Sequence, residues 1–540
     1  SNKKYLDQKR IKLDERLLRN YYKNNGFYNV KVNSTSAQLI DTNKFELIYN
    51  IDAGNIYRFS KLNLDVPISF EKENFKDIEI VLSKLEGEIY SLNKIEKVLD
   101  EIDKIALNKQ FQFIEANYVE ETSDKNKINL LIKISEGEKN FIEKINIYGN
   151  YITNESVIRN ALVTDEGDAF NDILFKKSIN KIKSKNIFAN VDTEIIEGES
   201  EKSKIININV EEKPTGEISA GAGTGTTGSS ISFGIRENNY LGKGQKLDTN
   251  FTISDEKFMG LFSLTDPNFR NTDKSLIATI ETTRNDLMGK YGYETTETGF
   301  SFGTSFEQYQ DIFFSPSIST YYESLTTSNL ASEAKKKQKG DYLDTNFSYS
   351  LSLNKLNQNF QPSSGYKSTF FQSIPIIADD NSLINSYQYS IYSKLGNESI
   401  LSFILFAKTI NNFDDDVRVS KRIFIPSRKL RGFQSGKIGP KDGSDYIGGN
   451  YGTALNVAAT LPKLFVDLQN IDFSIFLDSA NLWGVDYDSS LDKSKIRSST
   501  GIAVDWYTPV GPLSFSLAAP LTKADTDVTE TFRFKIGTTF

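Results

Sequence analysis

Residues 214–540 consist almost entirely of segments in which apolar and polar residues alternate. Ser230–Arg236, Lys246–Ser254 and Asn346–Leu353 are clear examples. Because successive side chains of a strand point to opposite faces, this period predicts strands with one apolar and one polar face. At about ten residues per membrane strand plus its connection, the segment accommodates about 16 strands. The sequence therefore predicts an all-β transmembrane barrel of about 16 antiparallel strands, since a soluble sandwich would need a larger apolar core.

The part of the chain before Pro214 is different: it is rich in Lys, Glu, Ile and Asn. Residues 137–213 predict a strand, two helices and two strands, and residues 53–136 repeat that β-α-α-β-β order. Residues 1–52 show only the tail of such a unit. Repetition of this kind predicts an array of like modules. We therefore predict four domains, 1–52, 53–136, 137–213 and 214–540, with helices expected at Tyr5–Lys23, Phe75–Ser83, Leu92–Leu107 and Ala169–Ile187.

The chain contains no histidine and no cysteine. Metal sites that need thiolate or imidazole ligands are therefore excluded, as are disulfides and Cys–His or Ser–His–Asp catalysis. We interpret the runs Asp414–Asp416 and Lys335–Lys337 as solvated external loops, because the acidic run lacks the ligand spacing of a calcium loop. The net charge of -7 is spread over both signs and gives no nucleic-acid signal. We predict no catalytic residue, no cofactor, no metal and no enzymatic activity.

A glycine cluster opens the barrel segment. Residues 223–228 satisfy G-x-G-x-x-G, but Ser229 stands where a P-loop needs Lys, and a strand rather than a helix follows. Glycines weaken strand pairing and leave the register loosely set. The first strand, about Glu217–Thr224, must close against Phe532–Phe540, so a weak seam that opens sideways to accept a client strand is one interpretation; a kink needed only for curvature is the other. The candidate seam residues are Gly221, Gly223, Gly225, Phe534, Ile536 and Phe540.

Six motifs in the barrel segment carry a family resemblance. The segment Lys429–Ser435 (KLRGFQS), followed by Ile438-Gly439-Pro440 and Gly448-Gly449-Asn450, resembles the sixth-loop motif of the BamA family, the outer-membrane protein assembly factors. The N-terminal modules resemble the POTRA domains of that family. Further matches follow in family order: Asn239–Gly244, Thr265–Phe269, Phe476–Ala480 (with Ala480 where Gly is usual), Thr508–Leu513 and an aromatic C-terminus at Phe540.

The resemblance implies a role for the sixth loop. In the family its arginine, here Arg431, lies in the barrel lumen and pairs with a carboxylate, here Asp478. Gly432 and Phe433 complete the motif. A second acidic residue that often shares this role maps near Ala458, so the resemblance implies a thinner network in this chain.

The resemblance also implies a function. It predicts POTRA modules in the periplasm that bind unfolded β-barrel clients, and a barrel in the outer membrane that folds and inserts them with accessory lipoproteins. The alternatives are a TamA-like translocation and assembly factor or a two-partner secretion pore. A passive porin or an outer-membrane enzyme agrees less well, since porins lack the repeats and no catalytic constellation is present. The expected partners are clients, lipoproteins and the lipid bilayer, with no nucleic acid.

Overall fold

The computed structural model describes residues 8–41, 44–109, 111, 113–123, 126–137, 140–226, 228–396, 399–462, 470–492, 494–508 and 511–537. Of the motif positions predicted above, Phe540, Pro509 and Val510 lie outside these residues. The chain forms two compact units. The first unit comprises Ser1–Asn150, Ala161–Ser184 and Phe188–Glu211, and the second comprises Tyr151–Asn160, Lys185–Ile187 and Glu212–Phe540.

The first unit contains the predicted N-terminal modules except for residues 151–160, 185–187 and 212–213. Its helices are α1 (Gln8–Asn24), α2 (Lys76–Leu85), α3 (Leu92–Asn108) and α5 (Asp172–Ser184), while α4 (Glu155–Arg159) belongs to the second unit. Its strands are β1 (Lys31–Asp41), β2 (Lys44–Asp52), β3 (Arg58–Asp65), β4 (Glu115–Ser123), β5 (Lys127–Ser135), β6 (Phe141–Tyr148), β7 (Phe188–Glu197) and β8 (Ser203–Glu212).

Two of these modules contain a three-stranded mixed sheet. The strand orders are β3-β5-β4 and β6-β8-β7, and in each sheet the first strand runs parallel to the central one. The elements follow one another along the chain as β-α-α-β-β in both modules, which confirms the predicted order. The partial module contributes α1 and the antiparallel hairpin β1–β2. The domain boundaries themselves stay predictions.

The core of the middle module shows why its sequence folds this way. Ile95, Val98 and Ile102 lie three and four residues apart and therefore share one face of α3, and all are buried. Ile128 and Leu130 alternate along β5 and belong to the same apolar cluster. The apolar residues at helical spacing in α3 and at alternating positions in β5 thus pack into one core.

The last helix of the modules is shorter than predicted. We expected a helix over Ala169–Ile187, but α5 covers Asp172–Ser184. The Asn171 side chain accepts hydrogen bonds from the N–H groups of Ile173 (2.9 Å) and Leu174 (3.2 Å), which is the usual way a helix begins. At the other end Asn186 has φ +55°, in the left-handed region that stops a helix.

The second unit is built on a closed barrel of sixteen antiparallel strands, which confirms the predicted fold class. Each strand pairs with its neighbour in the chain, and the last strand pairs with the first. The strands are β9 (Gly216–Gly225), β10 (Gly228–Tyr240), β11 (Gln245–Ser254), β12 (Lys257–Asp266), β13 (Ser275–Leu287), β14 (Tyr293–Tyr309), β15 (Ile312–Thr327), β16 (Gly340–Asn354), β17 (Gly365–Ala378), β18 (Ser382–Leu395), β19 (Ser399–Asn412), β22 (Tyr451–Thr460), β23 (Ile471–Trp483), β24 (Arg497–Thr508), β25 (Gly511–Thr522) and β26 (Phe532–Gly537).

The outer face of the barrel is apolar. Large apolar side chains at alternating strand positions are exposed, among them Ile218, Ile231, Ile253, Ile280 and Phe302. An exposed apolar band of this kind is typical of a lipid-facing barrel. Separately, in the described part of the chain no helix combines the length and the apolar character needed to cross a membrane.

The connection between β19 and β22, residues 413–450, is the longest in the barrel, and we name it the sixth loop. It contains the small hairpin β20 (Lys441–Asp442) and β21 (Asp445–Tyr446). Two short helices lie in other connections, α6 (Met288–Tyr291) and α7 (Glu333–Lys337). Asp414–Asp416 are exposed, as predicted.

The prediction that the Lys335–Lys337 run is solvated was wrong for Lys335, which is 2% exposed. Its ammonium donates a hydrogen bond to the carbonyl oxygen of Tyr291 (2.5 Å) and lies 3.0 Å from a carboxylate oxygen of Asp445 in the sixth loop. The Asp445 carboxylate, which is distant in the sequence, therefore compensates the buried charge of Lys335, whereas the local sequence had predicted that this charge is solvated.

Residues 151–160 are held in the second unit by the Asn239–Gly244 turn. The Asn239 side chain donates to the Thr153 hydroxyl (2.9 Å), and the Asn154 N–H donates to the Gly242 carbonyl oxygen (2.8 Å). Gly242 has φ +70°, and a Cβ atom there would lie 2.2 Å from the carbonyl oxygen of Ile152. Glycine is thus required at this turn by both backbone conformation and close approach.

Candidate functional site

The sixth loop enters the barrel interior, where its residue Arg431 forms an ion pair with Asp478 of the barrel wall. Arg431 donates two parallel hydrogen bonds to the Asp478 carboxylate, from Nε to Oδ2 and from Nη2 to Oδ1, both at 2.7 Å. The backbone N–H of Arg431 also donates to Oδ2 (3.0 Å). The Asp478 side chain is fully buried, and that of Arg431 is 19% exposed. This bidentate geometry fixes both the position and the orientation of the loop.

The register of three strands places further polar groups around this pair. Asn456 on β22 lies opposite Asp478 on β23, which lies opposite Ser499 on β24. The Asn456 amide donates to the Asp478 carboxylate (2.9 Å), and the Ser499 hydroxyl donates to the Arg431 carbonyl oxygen. The Asp478 carboxylate thus accepts four hydrogen bonds, so its burial is compensated.

An aromatic ring completes the arginine environment. The guanidinium carbon of Arg431 lies 3.4 Å from the ring centroid of Phe476, which is 2% exposed. Stacking of this kind adds a cation–π attraction to the ion pair. Sequence reasoning singled out Arg431 and Asp478, and it named Phe476 only as the first residue of the Phe476–Ala480 motif. It missed Asn456 and Ser499. The available signal for Asn456 is that it lies two residues from Ala458, the position to which the resemblance maps a second acidic residue.

Gly432 and Phe433 fit the loop tightly against the barrel wall. Gly432 has φ +86°, and a Cβ atom there would lie 3.1 Å from the Ser499 Cβ and 3.2 Å from the Ala518 Cβ. Phe433 is buried in an apolar cluster with neighbours from the loop and the wall, including Ile423 and Leu482. The loop is therefore packed as a core, not merely tethered by charge.

The sixth loop is also bound to the last strand of the barrel. Arg533 on β26 donates to the carbonyl oxygens of Ser427 and Phe433, both at 2.6 Å. The N–H of Glu530, just before β26, donates to the Gly432 carbonyl oxygen (3.0 Å). The motif residues are therefore connected through short contacts to the strand that closes the barrel.

That closing strand forms few pairs with the first strand. Among the described residues, β26 and β9 share three registered pairs, Gly223 with Gly537, Thr224 with Ile536 and Gly225 with Lys535. By comparison, β9 and β10 share ten pairs. Residues 216–222 of β9 are registered with β10 alone in the part of the chain that the structure describes. Among the described residues, the seam is thus the least extensively paired junction of the barrel.

Glycines permit close approach at this seam. A Cβ atom on Gly225 would lie 2.6 Å from the Phe534 carbonyl oxygen. Gly537 has φ +116°, and a Cβ atom there would lie 2.2 Å from the carbonyl oxygen of Ala222. At these two glycines the strands therefore approach each other through backbone atoms.

Three of the six candidate seam residues form registered pairs across the seam in the part of the chain that the structure describes. Gly223, Gly225 and Ile536 lie in the three registered pairs. Phe534 is adjacent, since its carbonyl oxygen accepts from the N–H of Thr226 (3.2 Å), whereas Gly221 is registered with Ser232 of β10 and with no other described residue. Phe540 lies outside the described residues.

A second set of charges holds the first part of the sixth loop. Arg418 is 3% exposed and contacts three carboxylates of the barrel wall and its loops: Glu323 (3.2 Å), Asp344 and Asp380 (3.4 Å). Arg422 pairs with Asp486, whose carboxylate also accepts from the Val417 N–H (2.6 Å) and the Asn450 amide (2.9 Å). Sequence reasoning missed this set, because its carboxylates are dispersed along the chain.

The Asp486 contacts predict an acid-sensitive loop. Burial alone would raise the pKa of this carboxyl, but the Val417 N–H, the Arg422 guanidinium and the Asn450 amide hold that pKa below its ordinary value. A lowered folded-state pKa stabilises the fold above the unfolded value of about 3.9, and this stabilisation is lost as the pH falls through the folded-state pKa. We expect a spin label at Phe413→Cys to become mobile below about pH 4.

Two variants test whether the Asp486 carboxyl, and not another carboxyl, causes this pH-dependent change. Asp486→Asn should already show a mobile label at neutral pH and a weaker pH dependence. Asp525→Asn removes an exposed loop carboxylate and should keep the wild-type profile. An unchanged profile in Asp486→Asn would show that another carboxyl governs the transition.

The fold and the site together define a class: a sixteen-strand barrel with N-terminal β-α-α-β-β modules and an arginine loop pinned in the lumen. The chain belongs to the Omp85 superfamily, whose domain model matches residues 239–540. A POTRA model, described as a surface antigen variable number repeat, matches residues 2–54 and 141–213. The middle module, outside these matches, has the same fold.

Curated relatives confirm the resemblance to the BamA family. The chain is 24% identical over 555 residues to the outer membrane protein assembly factor BamA of Neorickettsia risticii, covering 99% of this chain and 73% of the relative. It is 23% identical over 605 residues to BamA of Neisseria meningitidis serogroup B, with the same two coverages.

Solved structures show the same fold. BamA from Haemophilus ducreyi lacking POTRA domains 1–3 matches with a TM-score of 0.69 and 21% identity, covering 90% of this chain and 100% of that one. CdiB from Acinetobacter baumannii matches with a TM-score of 0.51 and 13% identity, covering 89% and 90%.

Proposed function

We propose that this protein is an outer-membrane protein assembly factor, which folds β-barrel clients and inserts them into the outer membrane. The similarity to BamA proteins over nearly the whole chain supports this function. The observation that carries the mechanism is the seam, where the described residues of β9 and β26 share three registered pairs. Separating these described residues breaks fewer backbone hydrogen bonds than separating β9 from β10, which share ten registered pairs.

Opening of the seam exposes a template for a client. The N–H and C=O groups along the free edge of β9 can pair with an incoming strand by β-augmentation. Because the barrel already aligns β9 with β10, the edge is preorganised, and the client does not need to order both partners. No reactive group or nucleotide is required for this step.

The sixth loop keeps the opened barrel folded. Its ion pair at Asp478 holds it against β22–β24, while Arg533 connects it to β26. The loop thereby bridges the last strand and the rest of the wall from inside. We infer that this bridge maintains the position of β26 when its pairs with β9 separate.

The modules extend the proposal to the periplasm. We infer that their sheets receive unfolded clients at exposed edge strands, and that accessory lipoproteins bind the same region. The edges are β3 and β4 in the middle module and β6 and β7 in the last one. Strand addition at such an edge is the physical basis of the proposed client binding.

Depletion of the protein in its native host tests the function. We expect a general loss of outer-membrane β-barrel proteins, measured by quantitative proteomics of isolated outer membranes. Re-expression of the wild-type chain is the control and should restore them. Loss of a single secreted protein, with other barrels retained, would instead identify a two-partner secretion pore and contradict the proposal.

A further inference from the structure

The barrel lumen contains a cavity of about 1470 Å³ beside the seam. Its wall is formed by β10, β11 and β12 on one side of the seam, by β24, β25 and β26 on the other, and by the sixth loop around Pro426–Arg428. The seam strands thus border the cavity. A client strand that replaces β26 beside β9 would turn alternate side chains toward it.

The charges that line this cavity are strongly unbalanced. Seven of the described lining residues are basic, and two, Asp248 and Asp505, are acidic. Beside Arg431, the basic residues are Arg236, Lys246, Lys257, Arg428, Arg533 and Lys535. A cleft lined by one sign of charge, with walls of low dielectric constant, concentrates the electrostatic field and attracts the opposite charge.

Some of these basic side chains already form ion pairs within the protein, and others are available to a ligand. Arg236 pairs with Asp248, Arg431 with Asp478 and Arg533 with Glu530. For Lys246, Lys257 and Arg428, no carboxylate of the described residues lies within ion-pair distance. Asp505 accepts a hydrogen bond from Ser514 (2.6 Å) and leaves the cationic excess in place.

Two of the available basic residues, Lys246 and Lys257, lie at opposite ends of the barrel wall. Lys246 lies near the start of β11, and Lys257 opens β12 at the opposite end of the same hairpin. Lys257 lies beside Ser254, the last residue of β11, because its N–H donates to the Ser254 hydroxyl. Residue 254 is eight residues after Lys246, so at about 3.4 Å per residue the two lysines are roughly 27 Å apart along the wall. This length accommodates an extended peptide of about ten residues.

We propose that this cavity is a binding site for the acidic face of an extended client strand, with Lys246, Lys257 and Arg428 as the residues that select it. The inference rests on the proposed function and deepens it, because it names the chemistry of the segment received at the seam. Carboxylates at alternate positions of a client strand match a wall that carries the opposite charge. Clients with basic residues at those positions are disfavoured by the same field.

Peptide binding to the full chain in lipid nanodiscs tests the inference. Three fluorescent ten-residue peptides share one apolar face and carry Asp, Gln or Lys at the alternate positions of the other face. We expect the Asp peptide to bind about tenfold more tightly than the Gln peptide at low salt, and the preference to vanish near 0.5 M salt, because screening there is nearly complete. Fluorescence anisotropy measures both affinities.

Matched variants assign the effect to the cavity. The triple variant Lys246→Gln, Lys257→Gln, Arg428→Gln should lose the preference for Asp over Gln. The control Lys339→Gln, Lys495→Gln, Lys523→Gln removes the same charge from exposed loop positions outside the cavity lining and should keep it. Equal affinities for the Asp and Gln peptides in the wild type, or equal losses in both variants, would overturn the inference.

Assembly of a β-barrel client in the same nanodiscs separates this inference from the proposed function. If clients fold but the wild type shows no preference for the acidic peptide, only the lumenal site is refuted. If no client folds, whatever its charge pattern, the assembly function fails. A preference that is salt-sensitive in the wild type and absent from the triple variant supports the site in either case.

Discussion

Arg431→Ala should destabilise the barrel by about 3–5 kcal/mol, since removing one partner of a buried ion pair leaves the other charge uncompensated. Here the Asp478 carboxylate would lose two of its four hydrogen bonds, those from the Arg431 guanidinium, while remaining fully buried. The Phe476 ring would lose its cation–π partner as well. Urea unfolding in liposomes measures the free-energy change, and gel mobility before and after heating reports the folded fraction.

Three further variants identify the cause of that loss. Arg284→Ala breaks the pair with Glu294 at a site where Arg284 is 56% exposed, and it should cost about 0–1 kcal/mol. Arg431→Lys keeps the charge but loses the bidentate geometry, so it should fall in between. Adding Asp478→Asn to Arg431→Ala removes the orphaned charge and should recover part of the stability. If Arg431→Ala unfolds like the wild type, the pinning interpretation is wrong.

A disulfide across the seam should abolish client assembly. Thr224→Cys with Ile536→Cys joins two residues that are register partners in the antiparallel pair. Such partners have Cα atoms about 4.5–5.5 Å apart, which is within the range of a disulfide. The chain has no cysteine of its own, so this bond is the only one that can form. We expect at least about a tenfold slower assembly in the oxidised protein, because the β9 edge stays occupied, and recovery on reduction.

An equivalent lock elsewhere provides the control. Ala222→Cys with Ile231→Cys joins register partners of β9 and β10, a junction with ten pairs that need not open. This variant should assemble clients at the wild-type rate whether oxidised or reduced. Normal assembly by the oxidised Thr224–Ile536 variant would show that the seam need not separate.

The sequence predicted the architecture because the relevant patterns are local. Alternation along Ser230–Arg236 and the helical spacing in Leu92–Leu107 each identify an element without knowledge of its neighbours. The order of these elements then predicted modules of the order β-α-α-β-β followed by a barrel. Predicted ends were less accurate, as for α5, where the Asn171 cap and the left-handed Asn186 decide the limits.

The polar network around the arginine could not be predicted in the same way. Asn456, Asp478 and Ser499 meet because three strands share one register, and register depends on the whole closed barrel. The same dependence explains the wrong prediction for Lys335, whose partner Asp445 lies far along the chain. For the seam, sequence located the glycines, while the number of pairs emerged only from the closure of β26 on β9.

The junction of residues 151–160 with the Asn239–Gly244 turn constrains how such proteins can be recombined. Thr153 and Asn154 are the contact points on one side, and Asn239 and Gly242 are those on the other. A chimera that takes its modules from one relative and its barrel from another would separate these partners if the crossover were placed at Pro214. Recombination between relatives should therefore keep residues 151–160 together with the Asn239–Gly244 turn. The segment that is inherited as one unit then begins before the change in composition at Pro214.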